Sequence, residues 1–168
     1  MRKLVIYNHG KDSIPWGEKP LGLAEVARQH GYMFISPDYQ DSNDPEARVD
    51  KLLSLDVSAY RTIVLAGSSM GAYVAAVAAE RLKPAGLFLI APAFYLPGYA
   101  RNDFKPGTAE IEVFHGWRDD VVPPENAWRF CQAHRASLHM LDGDHRLLSV
   151  LPQMTAAFDA FLTRCDKG

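Results

Sequence analysis

Short runs rich in β-branched and aromatic residues alternate along the chain with longer stretches whose apolar positions recur every three or four residues. The first pattern fits buried strands and the second fits amphipathic helices. Strands are expected at Leu4–Asn8, Tyr32–Ser36, Arg61–Ala66, Gly86–Ala91, Glu110–His115 and Ser137–Leu141. Helices are expected at Leu21–His30, from Asp44 to about Leu55, at Ala72–Leu82, from about Pro124 to His134, and from about Ser149 to Arg164. Local punctuation agrees. Gly31 suits the position after a helix end, Asp44 followed by Pro45 suits a helix start, and Pro37 and Pro92 close strands. Pro152 is tolerable in a first helical turn. Strands alternating with helices imply right-handed crossovers and a mostly parallel sheet of about six strands, covered on both faces. The stretch 92–109 fits neither pattern, and its length allows a short helix or an ordered loop but no large lid.

Composition narrows the class. The 168 residues suit one domain, 1–168, with a sizeable core, and the chain shows no repeat, low-complexity tract or internal linker. A formal net charge of −2 without a Lys/Arg cluster argues against a nucleic-acid partner. Cys131 and Cys165 are too few for a disulfide scaffold and read as reduced thiols of a cytoplasmic protein. The apolar run after Arg2-Lys3 is too short for a signal peptide, and no stretch approaches the ~20 residues that span a bilayer.

Candidate chemistry centres on Gly67-Ser68-Ser69-Met70-Gly71, which joins an expected strand to an expected helix. In that context the spacing describes a nucleophile elbow: Ser69 stands on a sharp turn, and Gly67 and Gly71 allow chain segments to approach without a Cβ. The helix dipole points its positive end at the serine, where negative charge develops during acyl transfer. A serine needs a base, and the base needs an orienting carboxylate. Asp119 and Asp120, in His115-Gly116-Trp117-Arg118-Asp119-Asp120, follow one strand; His145, in Asp142-Gly143-Asp144-His145, follows the last. All of them fall at the carboxyl edge of the sheet, on the rim of the elbow.

With these motifs in this order, the chain resembles the α/β-hydrolase superfamily, in particular its small lidless bacterial serine esterases. The resemblance spans nearly the whole chain. It implies an α/β-hydrolase fold, from whose pattern the chain departs by opening at the expected strand Leu4–Asn8 without the family's first two antiparallel strands, a minimal version of the fold. It places the triad acid at Asp119 in the pattern H-G-x-x-D-x-x-V-P, and the base at His145 in G-x-H. His9-Gly10 after the first strand marks the oxyanion loop, which implies backbone donors from Met70 and Lys11, with Gly10 as the alternative to Lys11. The implied activity is hydrolysis of a small or medium carboxylic ester through an acyl-enzyme on Ser69, acting on a small-molecule acyl substrate without cofactor, metal or membrane. A thioesterase with the same triad, or a non-catalytic binding protein on a hydrolase scaffold, is the alternative.

Several residues carry a plainer reading. Ser68 occupies the first variable position of the elbow and points elsewhere. Asp120 competes with Asp119 as the acid. A metal site at Asp142, Asp144 and His145 lacks a second histidine at ligand spacing. Gly10-Lys11-Asp12-Ser13 lacks phosphate-loop spacing. His9 and His115 are expected to satisfy loop carbonyls, His30 and His134 to cap helix ends, and His139 to pack in the core or at an edge. Trp16, Phe94, Tyr95 and Trp117 are candidates for the substrate pocket; Phe94, Tyr95, Tyr99 and Phe104 serve equally well as the core of a loop.

Overall fold

Successive residues of a strand face opposite ways, and the first strand shows how this divides the core. Along β1 (Lys3–Asn8), Leu4 and Ile6 enter one apolar cluster while Val5 and Tyr7 enter another. The chain, seen in a computed structural model that describes residues 2–108 and 110–168, builds six such strands. They are β1, β2 (Tyr32–Ile35), β3 (Thr62–Ser68), β4 (Gly86–Ile90), β5 (Ile111–Gly116) and β6 (Ser137–Leu141). All pairings are parallel, in the order β2-β1-β3-β4-β5-β6. β3, β4 and β5 are buried almost throughout, as strands covered on both faces must be.

The covering helices are α1 (Glu18–Gln29), α2 (Pro45–Leu53), α3 (Met70–Leu82), α4 (Pro124–His134) and α5 (Leu151–Cys165). On one face, Val49 and Leu52 of α2, nearly all of α3, and Ala127 and Phe130 of α4 pack with Leu4, Ile6, Leu65 and Leu87. On the other, Leu23 and Ala27 of α1 and Met154, Phe158 and Phe161 of α5 pack with Val5, Val64 and Phe88. Phe88 meets Phe158 edge-on at 4.8 Å between centroids, a geometry that aromatic pairs favour. Among the described residues, no helix is long and apolar enough to cross a membrane.

Element boundaries differ from expectation where the turns are tightest. β3 continues through Gly67 and Ser68, which pair with Leu89 and Ile90, and α3 starts at Met70. Ser69 alone makes the reversal. α1 begins three residues early, at Glu18, with Pro20 in its first turn. A short 3-10 turn, Leu148–Val150, leads into α5. His30 is the C-cap of α1, as expected, and its ring also bonds Asp159 of α5 at 2.8 Å. The His134 ring lies against Phe130, and burial lowers its pKa.

The stretch 92–108 is an ordered loop; Ala109, at its end, lies outside the described residues. Phe94 packs on Phe104 (4.5 Å) and on Phe130 of α4 (4.4 Å), and both loop phenylalanines belong to the core. Tyr99 meets Tyr73 edge-on at 4.9 Å. No lid is inserted between β4 and β5 within this stretch.

Candidate active site

The chain runs from β1 outward to β2 and returns past β1 to β3, so the sheet order reverses between β1 and β3. Crevices form at the carboxyl ends of strands at such a point. The two loops that leave it are His9–Ser13 and the Ser69 elbow.

Ser69 is held at φ 55° and ψ −117°, outside the ordinary regions for a side-chain-bearing residue. Neighbouring main chain fixes it there. Its N–H donates to the Ile90 carbonyl (2.9 Å), and its carbonyl accepts from the N–H groups of Ala72 and Ala93, both at 3.1 Å. The motif glycines are required by close approach. A Cβ on Gly71 would overlap the Asn8 carbonyl of β1, and one on Gly67 would press on the Gly71 carbonyl. Gly71→Ala gains about 1 kcal/mol of helix propensity, but it sets a methyl against fixed backbone. Such overpacking costs up to about 3 kcal/mol or more. The net result expected in a thermal melt is a Tm lower by about 4–8 °C; an unchanged Tm would contradict the contact.

Asp119 follows β5 and His145 follows β6, and both loops lean on each other. Trp117 donates from its N–H to Leu141 O (2.9 Å), and Arg118 from its N–H to Gly143 O (3.0 Å). Asp144 Oδ1 accepts from the N–H groups of Arg146 and Leu147, which shapes the turn that carries His145. His145 Nδ1 lies 2.8 Å from Asp119 Oδ2, and His145 Nε2 lies 2.9 Å from Ser69 Oγ. Because an ionised carboxylate only accepts, the proton belongs on Nδ1, and Nε2 is free to accept from the serine hydroxyl. Asp120 is exposed and does not take this place.

The Asp119 side chain is fully buried and has four donors. Oδ1 accepts from Val121 N–H (2.9 Å) and Val122 N–H (2.8 Å), while Oδ2 accepts from His145 and lies 3.1 Å from His115 Nε2. Burial pushes its pKa up, but the bonds from His115, His145 and the two N–H groups outweigh that and hold the carboxyl well below its usual range. His115, also fully buried, donates from Nε2 to Val122 O (3.0 Å) as well. Its contact with Asp119 was not foreseen from sequence, although the i,i+4 spacing across a turn was there to be read.

The His9–Gly10 loop is pinned from behind by a buried arginine, a residue that sequence patterning did not single out. Arg48 of α2 donates from Nη1 to the carbonyls of His9 (3.0 Å) and Gly10 (3.2 Å), and from Nε to Ser42 O (2.8 Å). His9 accepts from the Tyr39 N–H at Nε2 (2.9 Å) and donates from Nδ1 to Gly10 O (2.9 Å), the structural role expected of it. Burial lowers its pKa and keeps it neutral.

A cleft of about 430 Å³ opens beside Ser69 and His145 and includes Gly10, Lys11, Lys19 and Arg146 in its wall. None of the four aromatic candidates for its lining is there. Phe94 is sealed in the core. Tyr95 lies under the Arg129 guanidinium, 3.8 Å from its ring centre. Trp16 packs on Phe34 at 5.6 Å, and Trp117 is 65% exposed over a separate shallow hollow with Trp128 and Met140. In the sequence these aromatics could not be assigned a side, because their partners come from distant elements. Among the described residues, no group of three or more His, Cys, Asp or Glu is placed to hold a metal ion.

Comparison with known proteins agrees with this architecture. A protein of the alpha/beta hydrolase superfamily from Xanthomonas campestris pv. campestris superposes with a TM-score of 0.88 at 30% identity, over 96% of this chain and 99% of that one. An α/β serine hydrolase without a lid, from Xanthomonas campestris, gives 0.75 at 23% identity over 95% and 81%. A Pyrococcus furiosus esterase gives 0.73 at 21% identity over 96% and 83%. Aspartate/glutamate leucyltransferases of Cereibacter sphaeroides are 33% identical over 81 residues, 48% of this chain; the match spans only 26% of their length. No family model matches the chain. A six-stranded parallel sheet, a serine elbow at its switch point and 30% identity along the whole Xanthomonas protein place the chain in the α/β-hydrolase superfamily.

Proposed function

We propose that the protein is a serine hydrolase that cleaves small or medium carboxylic esters through an acyl-enzyme on Ser69. The observation that carries this reading is the unbroken hydrogen-bond chain from Ser69 Oγ through His145 to buried Asp119, opening on a cleft. Ser69 Oγ attacks the ester carbonyl carbon while His145 Nε2 takes its proton. Asp119 remains ionised and stabilises the imidazolium. As the tetrahedral intermediate collapses, the bond to the leaving oxygen breaks and His145 delivers the proton to it. Water then attacks the acyl-serine with His145 again as base, the carboxylic acid departs, and Ser69 regains its proton.

The backbone N–H groups of Met70 and Lys11 serve as oxyanion donors. Met70 is the first residue of α3, where N–H groups have no intrahelical partner. The Gly10 carbonyl is drawn toward Arg48 and His9, and across a trans peptide the Lys11 N–H points the opposite way. Loss of one such donor costs about 100- to 1,000-fold in rate.

The test combines p-nitrophenyl acetate, butyrate and octanoate, a matched thioester, and a fluorophosphonate probe. Turnover of the oxygen esters and one covalent adduct on the Ser69 peptide are expected. Faster turnover of the thioester would reassign the substrate class. No turnover and no adduct would leave a binding protein on a hydrolase scaffold.

A further inference from the structure

The cleft wall is charged more like an anion site than like a channel for a plain hydrocarbon chain. Lys11, Lys19 and Arg146 line it, against one carboxylate, Asp12, whose Oδ1 already accepts from Asn43 at 2.9 Å. Lys19 is the inner member. It sits in the first turn of α1, half-buried, and donates from Nζ to Ser68 Oγ (3.0 Å) and Arg146 O (2.9 Å). Both partners are neutral oxygens. An ammonium has three donors, so one remains for a ligand, on a charge that these two bonds do not neutralise and that Asp144 offsets only in part.

We propose that the substrate carries a carboxylate in addition to its ester bond, and that Lys19 binds this carboxylate in the cleft, with Lys11 and Arg146 flanking it. The inference rests on the hydrolytic reading above and specifies its substrate. Burial, followed by the charge of Arg146, lowers the Lys19 pKa to about 8, against a smaller opposite effect of Asp144. The other titratable groups that line the cleft with it are Tyr7, Lys11, Asp12 and His145. Since Lys19 is charged below about pH 8 and neutral above it, recognition of the anion is present near neutrality and fades as pH rises through that value.

The experiment compares kcat/KM within two matched pairs: p-nitrophenyl hexanoate with mono-p-nitrophenyl adipate, and phenyl acetate with 4-acetoxybenzoate. The acid lies on the acyl side in the first pair and on the leaving group in the second. In one pair the charged ester should be preferred about tenfold, and the preference should shrink with added salt and above about pH 8. Lys19→Gln should erase the preference and Lys19→Arg should retain it. Equal rates within both pairs overturn the inference while leaving the hydrolase intact. So does an equal loss on both members in Lys19→Gln, which would make Lys19 only a tether of the His145 loop. A preference in wild type that ignores salt and pH also overturns it, even if the variants fail to fold. If no ester is turned over and the fluorophosphonate leaves no adduct, the hydrolytic reading falls and this inference falls with it.

Discussion

Ser69→Ala is expected to lower kcat on p-nitrophenyl butyrate by on the order of 10⁶-fold and to leave Tm within about 2 °C of wild type. The rate loss is so large because no neighbour can substitute. Ser68 Oγ is held by Lys19 on a different bond path, and His145 Nε2 is directed at Ser69 alone. Stability is spared because the substitution removes no main-chain bond: the links from Ser69 to Ile90, Ala72 and Ala93 are all made by the backbone. Alanine tolerates the positive φ about as poorly as serine does, so the strain at the elbow is unchanged. The vacated His145 Nε2 faces the cleft, where water can satisfy it. Matched melts and a stopped-rate assay suffice. Retention of about one-hundredth of wild-type kcat would place the nucleophile elsewhere.

Much of this layout follows from local pattern. In an all-parallel sheet the carboxyl ends of all strands share one rim, so the loops holding Ser69, Asp119 and His145 meet there whatever the details of packing. β-branched runs bounded by proline and glycine marked the strands well. They failed at Gly67 and Ser68, residues of low strand propensity that pair because a one-residue elbow leaves no room to leave the sheet sooner. The aromatics of 92–108 were ambiguous for a different reason. Phe94 faces the core because Phe130, from a helix thirty-six residues on, supplies its partner, and no local signal encodes that. Lys19 was hidden by a boundary: an α1 that starts at Leu21 leaves it in a loop, whereas a start at Glu18 turns its side chain into the cleft. Arg48 carries no local signal in the sequence, because the carbonyls it binds lie on the other loop.

Asp119→Asn, by the same reasoning, is expected to lower kcat about 10⁴-fold and to destabilise the fold at neutral pH more than in acid. The carboxylate is an acceptor on every side, while an amide brings an NH₂ that must face one pair of donors. If the amide oxygen stays with the Val121 and Val122 N–H groups, the NH₂ confronts His145 Nδ1 and His115 Nε2. His145 relieves the conflict only by moving its proton to Nε2, where it donates to Ser69 and can no longer take the serine proton. The opposite flip sets NH₂ against the buried Val122 N–H and the half-buried Val121 N–H, and a buried donor left unsatisfied costs about 1–3 kcal/mol. The pH dependence has a definite sign. The folded pKa of Asp119 is depressed, so its stabilisation is present above the unfolded value near 3.8 and is lost as pH falls through and below that value. Wild type and variant should therefore differ most in Tm near about pH 7, and the gap should begin to narrow only below about pH 4 and keep narrowing toward the depressed folded pKa. A variant that keeps a tenth of wild-type kcat, or a Tm difference that is flat with pH, would mean that this carboxylate neither orients His145 nor draws its low pKa from the four donors around it.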